Sequence, residues 1–341
     1  MASKTTSILV INSGSTSLKY KLFTYPSLRL KKEKVFRNIS VAKFNWKKLL
    51  TIIKQQENII AVGHRVVHGG EKFCQPTIIN KSILKELEQY NSFAPLHNPY
   101  NLAGIKASKT YLSGLPNIAV FDTAWFTHIP DYAKIYPLPL KFYRRYKIKR
   151  YGFHGISHQY AAEQSAKRLK QPLKKLNLIT CHLGGGSSIT AVKRGKAIDT
   201  SMGFSTLEGL MMISRPGNVD SGIILYLQQV LKMSVKQVAE LLYYQSGIKG
   251  MSGYRDYLSL LTAACQGNKI AKLTWSIYLY QIKKYIGAYM AILGKVDAII
   301  FTGAIGAGKA LTRRKICQNI SLQQQTKILA ILPDEELAIA Q

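Results

Sequence analysis

The sequence predicts an α/β fold built from two similar halves with a ligand cleft between them, and three stretches carry that expectation. In the first, an apolar run (Leu176, Leu178, Ile179) enters Cys181-His182-Leu183-Gly184-Gly185-Gly186-Ser187-Ser188 and an alternating run (Ile189, Ala191, Val192) leaves it. This reads as strand, glycine turn, strand. In the second, Ser7 to Phe23 repeats the theme: an apolar strand from Ile8 to Ile11, a polar turn from Asn12 to Ser17, and an alternating strand through Leu18, Tyr20 and Leu22. Asn12-Ser13-Gly14 and His182-Leu183-Gly184 are both polar-x-Gly at the exit of an apolar run, 170 residues apart, half the chain. The third stretch is the strand-to-glycine junction from Ala298 to Gly306. A Rossmann arrangement would want G-x-G-x-x-G opening a helix, and neither early loop does that.

A length of 341 residues suits two domains, and 47% hydrophobic with 19% charged residues describes a globular chain. Met1 to Thr6 precede an apolar run too short for a signal peptide, and later apolar runs are broken by charge well short of a membrane span. The expectation is a soluble, cytoplasmic protein with no membrane partner. Cys74, Cys181, Cys265 and Cys317 form no C-x-x-C pair, so they are expected to be ordinary buried thiols. The 48 basic against 17 acidic residues leave a charge of +31. Lys141 to Arg150 mixes bases with aromatics as a nucleic-acid surface does. Lysines nevertheless occur in nearly every segment and no nucleic-acid module appears, so a solvated basic surface that attracts small anionic substrates is the preferred reading.

Along the chain, the glycine turn at 184–186 leaves backbone N–H groups bare, and with the Ser187 and Ser188 hydroxyls it reads as a phosphate cradle. It lacks the Gly-Lys-Ser/Thr ending of a P-loop. A basic stretch from Arg29 to Lys48 precedes Ala61 to Glu71, an apolar run carrying Arg65, which needs an anion if buried. Ala94 to Pro99 is a proline-bracketed loop. Ile118 to Ala124 is a strand ending in Asp122, which either faces a cleft or caps the next segment. His154 and His158 are four apart but lack a third zinc ligand, so His158 is read as structural. A helix is expected from about Gln159 to Leu169. Arg215 sits in a proline-glycine turn, where a surface role is the ordinary one. Val235 to Gln245 and Lys269 to Leu293 have helical periodicity, and Lys283-Lys284 reads as a solvated face.

Asn12-Ser13-Gly14-Ser15-Thr16-Ser17-Leu18-Lys19, the Gly63 to Glu71 run, Ala94 to Pro99, Phe121-Asp122-Thr123-Ala124, Tyr151 to His158, Cys181 to Thr190 and Thr200 to Leu210 together resemble the acetate kinase family. The motifs stand in the family's order from Ile8 to Gly222. The resemblance implies two RNase H-like (actin-like ATPase) domains, expected here as 1–148 joined by 335–341, and 149–334 with the nucleotide loops. It also implies a homodimer and reversible transfer from ATP to acetate, giving ADP and acetyl phosphate, with magnesium or manganese. Arg65 and Arg215 would supply positive charge, Arg65 also holding acetate, while His154 would stabilise the phosphoryl oxygens. Asp122 would position magnesium and its water. Val67, Leu96 and Phe153 match a methyl pocket, beside His97. Asn12, Ser15, Ser17 and Lys19 would hold donor phosphates and metal, and Glu335 matches a magnesium glutamate. His182, Leu183, Gly184, Gly185 and Gly186 would cradle nucleotide phosphates.

Departures from the family's pattern fall on the nucleoside side. Gly-Asn-Gly is here Gly184-Gly185-Gly186, and Gly-Ile-Gly-Glu-Asn is here Ala304-Ile305-Gly306-Ala307-Gly308. Asp-Phe-Arg is reduced to Tyr254-Arg255 behind a shortened loop, the chain is shorter between Leu311 and Leu332, and it stops soon after Glu336. Thr206 stands where the family has proline, so propionate or another short acid is a second acceptor. Pyrophosphate is an alternative donor because the base pocket is expected to be lost. A weakly catalytic polyanion-binding or regulatory relative is the reading from another class.

Overall fold

A computed structural model describes residues 6–341. Residues 1–5, which include most of the stretch read for a signal peptide, lie outside the described residues. The chain divides into two compact units. The first holds the residues up to Thr127, Phe153–Tyr160 and Asp334–Gln341, and the second holds His128–Gly152 and Ala161–Pro333.

The first unit is built on β1 (Thr6–Ser13), β2 (Ser17–Thr24), β3 (Leu30–Arg37), β4 (Asn58–Val66), β5 (Thr77–Ile78) and β6 (Asn117–Phe121). They lie in the order β3-β2-β1-β4-β6-β5. The first three form an antiparallel meander, and β4 and β6 run parallel to β1. In the second unit, β7 (Asn177–Leu183), β8 (Ser187–Lys193), β9 (Lys196–Thr200), β10 (Ala298–Thr302) and β11 (Lys327–Ala330) lie in the order β11-β10-β7-β8-β9. Again the first three are an antiparallel meander, with two parallel strands added beyond β7. The duplication read from the two polar-x-Gly turns is therefore a duplication of sheet topology, with those turns as the β1–β2 and β7–β8 connections.

Buried apolar faces explain the elements that the sequence predicts. Leu9, Ile11, Leu18, Tyr20 and Leu22 alternate into one core with Leu50 and Ile53 of the helix Trp46–Gln56. Ile179, Cys181, Ile189 and Ala191 pack with Tyr278, Ile282, Ile286 and Tyr289 of the helix Lys269–Leu293. The stretch read only as basic, Arg29 to Lys48, contains β3. This strand is exposed along nearly its whole length, so lysines replace the apolar alternation that signals a strand.

The contacts divide the chain elsewhere than at the expected break after residue 148. The backbone N–H groups of Arg150 and Tyr151 donate to Lys134 and Gly203, which ties 128–152 to the second unit. Gly155 N–H donates to the Asp122 carbonyl, which ties 153–160 to the first. Among the thiols only Cys181 is buried, and Cys265 is exposed, contrary to the expectation of four buried ones. No described helix is long and apolar enough to cross a membrane.

Candidate active site

In the first unit, β4 and β6 run parallel with Arg65 opposite Val120 and Val66 opposite Phe121. Asp122 continues that ladder, its N–H donating to the Val66 carbonyl at 3.0 Å. Its carboxylate therefore meets Arg65: Oδ2 accepts from Nη2 at 2.6 Å and from Nε at 3.1 Å. Glu335 Oε2 stands 3.6 Å from Arg65 Nη1. Burial works against the Arg65 charge, but Asp122 and Glu335 more than offset it and hold the guanidinium protonated. Asp122 is 1% exposed, and burial raises its pKa above the ordinary value against the pull of Arg65. Its second oxygen, Oδ1, is buried and accepts no hydrogen bond from protein.

His154 follows in the chain with φ of +60°, a left-handed backbone that a histidine adopts only where its surroundings require it. The next residue has to be glycine, because a Cβ on Gly155 would collide with the Asp122 carbonyl. His158 is buried, stacked on Trp125 at 6.4 Å and edge-on to Phe126 at 6.2 Å, in keeping with a structural role.

The β1–β2 hairpin supplies Asn12, Ser15, Ser17 and Lys19. Gly14 N–H donates to the Ser17 carbonyl to close the turn; Ser15 is half-buried and Ser17 exposed. Asn12 Nδ2 donates to Glu336 Oε1 at 3.0 Å, and Lys19 Nζ lies 2.8 Å from Glu336 Oε2 and 3.3 Å from Glu33. Lys21, on the same face of β2, pairs with Asp334 at 2.7 Å. Three successive acids at the start of the helix Glu335–Ala340 thus grip three bases: Asp334 holds Lys21, Glu335 faces Arg65, and Glu336 holds Lys19. Asp334 and Glu336, beside Glu335 in the sequence, had no role assigned from the sequence, although two bases alternating on one strand in a chain with few acids were a usable signal.

On the acyl side, Val67 and Phe153 are buried and Leu96 is half-buried. The Phe153 ring lies 5.8 Å from that of His68. His97 opens the helix Asn98–Tyr111, whose first turn clamps the strand exit: Asn101 Oδ1 accepts from Val67 N–H and Asn98 Oδ1 from His68 N–H, each at 3.0 Å. These two buried asparagines position Val67 and His68 and were also missed.

In the second unit the glycine turn corrects one expectation. Gly184, Gly185 and Gly186 keep ordinary backbone angles, and Ser187 and Ser188 are fully buried on β8, so their hydroxyls do not reach an anion. The glycines instead leave room: a Cβ on Gly185 would meet nothing within 4 Å. Beside them opens a cavity of about 600 Å³, lined by Gly184, Gly185, Arg255, Ala304, Ile305 and Gly308, together with Ile213, Lys309 and 256–258. The cavity borders 304–308, where the sequence lacks the polar side chains of the family pattern. Gly303 has φ of +77° and lies so close to Leu183 that a Cβ would strike its carbonyl, which brings the 303–308 turn against the end of β7. Among the residues expected at the nucleotide, Leu183 and Gly306 are buried, the Leu183 side chain within the core, and Tyr254 packs against that core. His182 pairs in register with Thr302 of β10. Ala307 caps the short 303–306 helix and does not line the cavity.

The loop that carries Arg215 is tied to the same turn at Ile213, whose N–H donates to the Gly185 carbonyl at 3.3 Å. Arg215 Nη1 donates to the Thr206 carbonyl at 2.8 Å, and no carboxylate pairs with it among the described residues. Burial without an anion pushes its pKa down to about 10. A half-buried guanidinium with no carboxylate partner is a ready anion site.

A model of the acetokinase family matches residues 34–337. The chain is 45% identical over 339 residues to the acetate kinase of Caldicellulosiruptor saccharolyticus, covering 90% of this chain and 85% of that protein. It is 40% identical over 388 aligned positions to the acetate kinase of Helicobacter acinonychis, covering 98% and 97%. That alignment is longer than the 341 residues here, so the relative carries segments that this chain lacks. Among solved structures, Porphyromonas gingivalis acetate kinase superposes with a TM-score of 0.88 at 32% identity, and a propionate kinase from Francisella tularensis with 0.91 at 35%, each over 98% of both chains. The duplicated sheets, the Arg65–Asp122 pair and the family match over most of the chain lead to one assignment: this chain belongs to the acetokinase family.

Proposed function

We propose that this chain is an acetate kinase, moving a phosphoryl group reversibly between ATP and the carboxylate of acetate. The observation that carries the reading is the division of labour: Arg65, Asp122 and Glu335 gather in one unit, and the other holds an open glycine-lined cavity together with Arg215, whose loop is tied to the glycine turn through Ile213.

A carboxylic acid with a pKa of about 4–5 is already anionic at neutral pH, so the nucleophile needs no general base. The chemical difficulty is repulsion between acetate and a polyphosphate, which positive charge and in-line placement relieve. Arg65 binds the acetate carboxylate, with Val67, Leu96 and Phe153 against its methyl group and His97 beside them. Arg215 and His154 stabilise the charge on the phosphoryl oxygens. Lys19, Ser15 and Ser17 hold donor phosphates, and the cavity beside Gly184 and Gly185 takes the nucleoside. That cavity is far larger than pyrophosphate needs and supports a nucleotide donor.

Magnesium fits the residues present. Among the described residues no three His, Cys, Asp or Glu side chains are grouped to hold a metal alone. Magnesium, however, usually keeps several waters and needs only one or two carboxylates. The unpartnered Asp122 Oδ1 suits a metal-bound water, and Glu335 and the Asn12 carbonyl oxygen would hold the ion. When bound, the ion neutralises phosphate charge and orients the donor.

A second copy of the chain covers the exposed apolar helix Ser221–Gln229, none of whose residues is buried, giving the homodimer. The test of the activity is an acetyl hydroxamate assay on purified protein with acetate or propionate and magnesium, run with ATP, GTP and pyrophosphate in parallel. Product with acetate and a nucleotide is expected. Product with pyrophosphate alone, or none with any donor, overturns the reading.

A further inference from the structure

We propose that Arg150 and Glu208 are positioning residues for Arg215, acting through the loop from Gly203 to Gly209; the proposal rests on the reading of Arg215 as a phosphoryl-binding group. Arg215 has no carboxylate to orient it, and its guanidinium is directed by the Thr206 carbonyl at 2.8 Å. Whatever fixes that carbonyl therefore fixes the charge offered to the phosphoryl group. The loop has anchors on both sides of Thr206. Tyr151 N–H donates to the Gly203 carbonyl at 3.0 Å, and Phe204 N–H donates to the Tyr136 hydroxyl at 2.9 Å. On the far side, Gly209 N–H donates to Asn218 Oδ1 at 2.7 Å.

Glu208 ties these anchors together. Its Oε1 accepts from Arg150 Nη2 at 2.6 Å and its Oε2 from the Tyr136 hydroxyl, so one carboxylate bonds both the arginine and the group that holds Phe204. Arg150 in turn donates through Nη1 to the Thr200 carbonyl at 2.9 Å, which references the loop to the end of β9. The carboxylate and the tyrosine hydroxyl occupy the space where a Cβ on residue 203 would stand, so a larger residue there would displace them. The backbone of Arg215 is fixed separately, its carbonyl accepting from Met212 N–H at 2.9 Å. The brace therefore controls the direction of the guanidinium and not the course of the chain.

The test uses the full chain and three variants: Glu208→Gln, Arg150→Lys and Arg215→Ala. Weakening the brace is expected to lower kcat by about 10- to 100-fold, the scale of a misplaced charge, with KM for ATP and acetate held within about threefold. A residue that acts through Arg215 adds nothing once Arg215 is gone, so Arg215→Ala combined with Glu208→Gln should be no slower than Arg215→Ala alone. Melting temperatures of all variants are measured beside the rates. Should Arg150→Lys fail to fold, Glu208→Gln and its combination with Arg215→Ala still decide the matter. Unchanged kcat in Glu208→Gln, or losses that multiply in the double variant, overturn the proposal. Full turnover in Arg215→Ala would instead overturn the phosphoryl-binding reading on which it rests.

Discussion

Arg65 and Asp122, 57 residues apart in the chain, are joined at the ends of adjacent parallel strands by a two-pronged ion pair of 2.6 and 3.1 Å. The pair is asymmetric in its consequences, because Asp122 is almost wholly buried and Arg65 also faces Glu335. Asp122→Asn removes the closer partner and leaves Arg65 only the longer contact with Glu335, which costs about 1–3 kcal/mol of stability. It also misdirects Arg65, so kcat should fall by at least about 10²-fold, as for other lost charge-stabilising groups. Thermal unfolding and the hydroxamate assay check the two losses. A variant as stable and as fast as the parent would remove Asp122 from the site.

Acid dependence follows from Glu336. Burial pushes its pKa up, but Lys19, Asn12 and Lys21 pull it below the ordinary value of 4.5. The unfolded chain therefore takes up a proton before the folded one does. The stability from this group is fully present above that ordinary value and is lost as pH falls through the folded value. Lys19 is raised above 10.5, so its share persists below that pH and is lost as pH rises through its folded value. Urea midpoints for the parent and Glu336→Gln should differ by a constant amount between about pH 6 and 9 and converge on the acid side. A difference that grows on acidification would contradict the ion pairing of Glu336 with Lys19.

Two glycines predict opposite outcomes. Gly155→Ala drives a Cβ into the Asp122 carbonyl and should cost about 1–3 kcal/mol or more, like other overpacked sites. Gly185→Ala meets nothing within 4 Å, so the melting temperature should hold while KM for ATP rises by about tenfold as the methyl enters the nucleotide cavity. Equal melting temperatures for the two variants would undo the contrast.

The exposed helix Ser221–Gln229 carries Ile223, Leu225 and Tyr226, each about half exposed, next to Val230 and Leu231. A charge there disfavours burial, so Leu225→Glu should shift the protein from dimer to monomer in light scattering. A parent that is monomeric at micromolar concentration would refute the dimer.

By itself the sequence determined the duplicated strand–turn–strand halves, since the apolar runs of β1 and β7 and the alternation on β2 and β8 are local and strong. It also marked Arg65 and Asp122, because a charge at the end of an apolar run is unusual wherever it occurs. The edge strand β3 stayed hidden, as an exposed lysine-rich strand has no apolar period. What the three glycines do was decided only by tertiary structure: their φ angles are ordinary, and the space before them belongs to residues 304–308, more than a hundred positions away. The same holds for the acids at 334–336 and for the brace from Arg150 to Glu208. Ion pairs and hydrogen bonds across such separations depend on which strand ends the sheets bring side by side, and no local pattern of residues records that.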